Sequence, residues 1–230
     1  LNKKDFLKYA STLAFPIMLQ NLIGTLVNIA DTVMLGYVSQ TAMSASSLAN
    51  QYTFILFCLY YGMATGTSVL CAQYWGKGDL KPIRDIFSFV LKVAVIVGII
   101  FGVTVLTIPE KVMGLYSNNE EIIMRGSQYL RILGYAYFTF AISNTLLSAL
   151  RSIEVLKVSV ISSIVSFCTN VFLNWVLIFG NLGAPALGIQ GAALATLTAR
   201  LFEFIITITY VLAIDKRLKF RISCLFGHNK

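Results

Sequence analysis

Residues 21–36, NLIGTLVNIADTVMLG, place one carboxylate, Asp31, and two amides, Asn21 and Asn28, in a run that is otherwise apolar or small. A carboxyl group in such a run can take up a proton, ligate a hard cation or hydrogen-bond a neighbouring helix. No Lys or Arg occurs between residues 9 and 76, so no nearby residue in the sequence neutralises it. A charge near the centre of a membrane helix costs about 2.5–3.5 kcal/mol on insertion scales. Burial favours the neutral acid, and a sodium ion alongside favours the anion. The sequence leaves both open.

Asn21, Gly24, Asn28 and Asp31 follow one another at spacings of three, four and three, which predicts one polar or small stripe along a helix. Such a stripe should face protein or water. Asn21 and Asn28 are expected either to bond a neighbouring helix or to line a cavity, and Gln51 and Tyr37 join them as cavity-lining candidates. Farther along, Asn170 and Asn174 sit one turn apart, about 15 Å and 9 Å from the outer end of their segment. Thr196 lies about 14 Å into the next one. These three share an outer-half layer with Asp31, which lies about 7 Å from its own outer end. One carboxylate with amide and hydroxyl oxygens is a hard-ligand set, suited to Na⁺ or a proton and not to zinc or copper.

Other features have simpler expected roles. Arg200 and Glu203 are three residues apart and should pair on one helix face, with Arg200 a further cavity candidate. Arg131 is expected to pair with an acid or carbonyl, or to snorkel outward, and Lys92 to snorkel. Gly62 and Gly66 form a GxxxG spacing, which predicts close helix packing. Pro16 precedes Asp31 by fifteen positions in the same segment and should bend it, as a static kink or as a hinge. Tyr37, Tyr60, Tyr61, Tyr135 and Tyr137 read as packing or interfacial residues able to stack on planar cations. Cys58, Cys71, Cys168 and Cys224 are scattered without a CxxC, and His228 stands alone in a basic tail. Neither a disulfide framework nor a zinc site is predicted.

Six long apolar segments must carry these residues, at about 12–36, 49–74, 86–108, 123–148, 157–180 and 187–213. Each reaches the roughly 20 residues that span a bilayer. The chain is 57% hydrophobic and 12% charged, against about 25% charged in soluble domains. Mean hydropathy is +0.77. The fold class is therefore all-α, a polytopic bundle of six transmembrane helices over residues 1–230. The connections should be short loops.

The net charge of +8 is distributed by topology and does not point to nucleic acid. Basic residues mark the amino end (Lys3, Lys4, Lys8), the second connection (Lys77, Lys81, Arg84), the fourth (Arg151, Lys157) and the tail (Lys216, Arg217, Lys219, Arg221). The first and fifth connections carry no charge, and Lys111 in the third is set against Glu110, Glu120 and Glu121. By the positive-inside rule both ends are expected in the cytoplasm, with the protein in the inner (plasma) membrane. No membrane His exists and Asp31 is the single intramembrane Asp, so an intramembrane enzyme is not expected, nor is any cofactor.

FPIMLQNLIGTLVNIADTVMLG, SLANQY, AQYWGKGD, FLNWVLIFG and LGIQGAALATLTAR, in that order, resemble the amino-terminal lobe of a multidrug and toxic compound extrusion (MATE) transporter. The resemblance implies one six-helix lobe of a twelve-helix protein, with the carboxyl-terminal lobe as its missing partner. It implies antiport: export of drugs or other organic, often cationic, compounds in exchange for H⁺ or Na⁺. The family's essential acid in the first helix and the proline before it match Asp31 and Pro16. Its Asn in the fifth helix matches Asn170, and its Thr in the sixth matches Thr196. Asn174 stands where sodium-binding members carry an Asp, which removes one negative charge. A lipid-linked oligosaccharide flippase of the same superfamily is the alternative, but it should carry several deep arginines, and only Arg131 and Arg200 qualify. An inactive structural half-transporter is a third reading.

Overall fold

The computed structural model describes residues 3–214. Among them seven α-helices follow one another: α1 Lys3–Val38, α2 Gln40–Gly76, α3 Leu80–Thr107, α4 Pro109–Gly114, α5 Glu120–Ser152, α6 Lys157–Phe179 and α7 Ile189–Thr209. A π turn, Tyr210–Ile214, extends α7. All except α4 are long and apolar enough to cross a membrane. The tail basic residues, Cys224 and His228 lie outside the described residues.

Local chemistry sets the junctions. No loop separates α1 from α2, contrary to expectation. The stretch after Tyr37 lacks Gly and Pro, and its alanines and serines continue the helix. Ser39 alone is extended (φ −165°, ψ 148°), and its hydroxyl accepts from the Ala42 N–H at 2.9 Å. Ala42, Ala45, Ser46 and Ala49 are buried as a consequence. Pro109 opens the short helix α4, which the sequence reading missed. Asn119 caps α5 by accepting from the N–H groups of Glu121 and Ile122 at 3.0 and 3.2 Å. Gly180 ends α6 in the left-handed region (φ 75°), where a side chain would be strained.

Helix α5 is central, packing against α2, α3 and α7. It is the least hydrophobic of the six spans and the most buried. Small and hydroxylated residues make that possible. Ser127, Thr139, Ser143 and Thr145 are buried, and each donates to a carbonyl of its own helix at 2.6–2.9 Å.

Close helix approach occurs at different glycines from the predicted pair. A β-carbon on Gly62 or Gly66 would meet nothing within 4 Å. On Gly102 it would lie 3.0 Å from the Gly134 carbonyl oxygen, and on Gly98 3.2 Å from that of Tyr137, so these residues bring α3 onto α5. Gly191 does the same for α7 and α6: its β-carbon would lie 2.5 Å from the Leu177 carbonyl oxygen.

Arg131 finds the acid partner expected of it, but at the surface rather than at depth. It is exposed and pairs at 2.8 Å with Glu110 of α4, so it is not a deep charge. Lys92 is exposed. Tyr37, Tyr61 and Tyr135 are exposed, whereas Tyr60 and Tyr137 are buried.

Candidate functional site

The α6–α7 hairpin supplies most of the polar partners of Asp31. The Leu187 N–H donates to the Leu177 carbonyl at 2.8 Å, and the bare face of Gly191 admits the α6 backbone. The one-turn spacing of Asn170 and Asn174 then presents both amides toward α1 and α7. Asn174 Nδ2 donates to Asp31 Oδ1 and, at 3.1 Å, to Asn170 Oδ1. Asn170 Nδ2 donates to Thr196 Oγ1 at 3.1 Å. Thr196 Oγ1 donates to Asp31 Oδ2 at 3.3 Å. The four side chains form a closed ring across α1, α6 and α7.

Asp31 is 3% exposed, and Asn170 and Asn174 are fully buried. A carboxyl group so removed from water depends on its hydrogen bonds for compensation. Among the described residues no Lys or Arg forms an ion pair with it. Asn174 Oδ1 is buried without a partner, so the ring retains one unused acceptor.

A cavity of about 440 Å³ borders the ring. Asp31 and Thr196 line it, together with Asn28, Gln51 and Arg200 of the predicted set. Asn170 and Asn174 lie behind it, and Asn21 and Tyr37 are exposed elsewhere. The predicted stripe on α1 therefore splits. Asp31 is buried, Asn28 faces the cavity, and Asn21 and Gly24 are exposed. Among the described residues Asn28 bonds its own helix rather than another: its side chain donates to the Gly24 carbonyl at 3.3 Å. Pro16 lies inside α1, which continues through it.

Several cavity residues escaped the sequence reading. Asn50, next to Gln51, accepts from the Tyr129 hydroxyl at 3.5 Å. Thr53 shares a 2.8 Å hydroxyl hydrogen bond with Tyr137, which the sequence does offer as an aromatic able to stack on planar cations. Phe57 and Phe140 form an aromatic pair at 4.7 Å. Asn50 in an otherwise apolar span was a usable signal. The aromatic residues looked no different from core. Arg200 lines the cavity while paired with Glu203 at 2.7 Å, as expected for residues three apart.

A family model described as MatE matches residues 16–176. A probable multidrug resistance protein NorM of Thermotoga maritima is 30% identical over 222 residues, covering 96% of this chain and 46% of the relative. The multidrug resistance protein PmpM of Pseudomonas aeruginosa is 28% identical over 221 residues, again covering 96% and 46%. A crystal structure of a MATE protein in the bent conformation superposes with a TM-score of 0.83 at 20% identity, covering 92% of this chain and 46% of that one. The MATE multidrug transporter DinF-BH superposes with a TM-score of 0.86 at 19% identity, covering 98% and 50%. These structures share the fold. The chain spans about half the length of the curated relatives it matches.

Proposed function

The chain belongs to the MatE family and is a multi-pass membrane protein, and from that premise we propose that residues 1–230 act as the amino-terminal lobe of a cation-coupled exporter. Its carboxyl-terminal lobe would complete the transport path, and its substrates would be drugs or other organic, often cationic, compounds. Both ends of the lobe would lie on the cytoplasmic side of the inner membrane, following the basic residues of alternate connections.

One observation carries the reading. Asp31 is a buried carboxyl with no basic partner, set between a ring of neutral polar groups and a cavity. Such a group changes state when a cation arrives, and a cavity beside it makes that change felt by cargo. With the carboxylate anionic, Asn174 Nδ2 and Thr196 Oγ1 donate to its two oxygens. Protonation turns one of those oxygens into a donor that needs an acceptor. Half a turn of the Asn174 amide presents Oδ1, the unpartnered acceptor, in that place. The same oxygen, with Asn170 Oδ1, Thr196 Oγ1 and the carboxylate, would ligate Na⁺. A single negative charge favours the proton as coupling ion, because Asn174 withholds the second carboxylate. Rearrangement of the ring would reach α1, and Pro16, fifteen residues away, is where that helix would hinge.

The test is transport by the complete two-lobed protein in proteoliposomes, with H⁺ and Na⁺ gradients imposed separately. A proton gradient should drive export of an organic cation, and a sodium gradient alone should do little. Export driven by sodium and indifferent to the proton gradient would overturn the choice of ion. Asn174→Asp should lower the sodium concentration for half-maximal export by about tenfold, since a second carboxylate beside the ion adds roughly 1–2 kcal/mol of attraction. Sodium titration of export in the variant checks this.

A further inference from the structure

Arg200 is placed where it could disable Asp31. It lies one turn beyond Thr196 on α7, on the face that donates to Asp31, and it lines the same cavity. Helical side chains lean toward the amino terminus of their helix, which would carry this guanidinium toward Thr196 and Asp31. A carboxylate within reach is its strongest natural partner. The ion pair forms elsewhere. Arg200 Nη1 donates to Glu203 Oε2 at 2.7 Å, three residues farther along the helix.

Two further contacts hold that position. The guanidinium carbon lies 4.7 Å from the ring centre of Phe140 and 5.9 Å from that of Phe57, within cation–π range. The two rings pack on each other at 4.7 Å. Glu203 has a side chain only 8% exposed, whereas Arg200 is 25% exposed toward the cavity. The acid is thus the fixed member of the pair. Arg151, another arginine of the bundle, donates to Gln20 at 2.9 Å.

We propose that Glu203 is a positioning residue that holds the Arg200 guanidinium against Phe140 and Phe57 and away from Asp31, so that Asp31 stays open to the coupling cation. The inference rests on the coupling role given to Asp31 above. Without Glu203 the half-buried cation has, among the described residues, one carboxylate on its cavity, Asp31, and pairing there occupies the site with a charge that cannot leave.

The experiment measures cation-gradient-driven export of ethidium by the complete transporter in proteoliposomes, comparing E203Q, E203D, R200Q, the double variant R200Q/E203Q, and D31N. E203Q should lower export by at least about tenfold when Arg200 is present and by less than about twofold when Arg200 is already Gln. E203D, which keeps the carboxylate, should retain most of the export. An equal loss from E203Q in both backgrounds would mean that Glu203 serves the fold alone, and the inference would fail. A near wild-type rate for E203Q would also overturn it. If E203Q does not accumulate in the membrane, R200Q/E203Q decides: accumulation and export equal to R200Q support the inference, and failure to accumulate overturns it. D31N separates the two readings. Wild-type export by D31N sinks the coupling role itself, whereas inactive D31N with an additive E203Q loss sinks only the role of Glu203.

Discussion

Asp31→Asn in the complete transporter is expected to reduce cation-driven export to the background of empty vesicles while leaving the amount of inserted protein unchanged. The substitution keeps the size and shape of the side chain. It removes the capacity to bind a proton, and it removes the formal charge that attracts Na⁺. The neighbours of residue 31 are amides and a hydroxyl, which can reorient to meet a third amide, so the ring should remain hydrogen-bonded. No basic side chain is stranded by the loss of the acid, because none among the described residues is paired with it. The helix body is therefore spared the usual penalty of breaking a buried pair. Export assays on reconstituted protein, normalised to inserted amount, check the result. Wild-type exchange by this variant would remove the basis of the coupling proposal.

Gly191→Ala is expected to cost about 1–3 kcal/mol and to impair coupling as well, because overpacking in a tight helix contact is relieved only by moving backbone. The added carbon would lie 2.5 Å from the Leu177 carbonyl oxygen, 2.7 Å from its carbon and 3.0 Å from the Ile178 nitrogen. None of these atoms can swing aside as a side-chain end can. The gain in helix propensity from Gly to Ala is about 1 kcal/mol at most and does not offset the clash. Separation of α6 from α7 would also displace Asn174, three residues before Leu177, from Thr196, five residues after Gly191. Gly66→Ala is the control, since its β-carbon meets nothing within 4 Å. Thermal unfolding of the purified protein should show a clear drop in Tm for the first variant and none for the second. Equal Tm values would contradict the packing described for this hairpin.

The features legible in the sequence are those whose cause is local. Apolar length marks the six spans. A lone carboxylate far from any Lys or Arg marks Asp31, because its cost in an apolar segment is set by the segment itself. Depth along the spans, with the family resemblance, groups Asn170, Asn174 and Thr196 with it. Features that depend on the partner helix were not legible. Gly62 and Gly66 of α2 have the GxxxG spacing but no described residue within 4 Å of an added β-carbon, whereas Gly98 and Gly102 of α3 have the same spacing and meet α5. Gly191 makes its close contact without a GxxxG, in the looser small-xxx-small spacing of Gly191 and Ala195. Spacing shows that a helix could approach there, and only the packing shows whether one does. Arg131 reads as deep until α4 brings Glu110 beside it. The regular spacing of Asn21, Gly24, Asn28 and Asp31 describes α1 correctly but does not say which of them the α6–α7 hairpin covers.

The single extended residue between α1 and α2 has a mechanical consequence. Ser39 is the whole joint, and its hydroxyl fastens it to the first turn of α2. A tether of one residue has no slack, so the two helices behave as the arms of a bent lever. When the end of α1 that carries Asp31 tilts, the end of α2 nearest the joint must travel with it. Asn50 and Gln51 ride on that arm, about three turns away from the joint. A change of charge at one carboxylate would thereby redraw the wall that cargo touches, without any messenger between them.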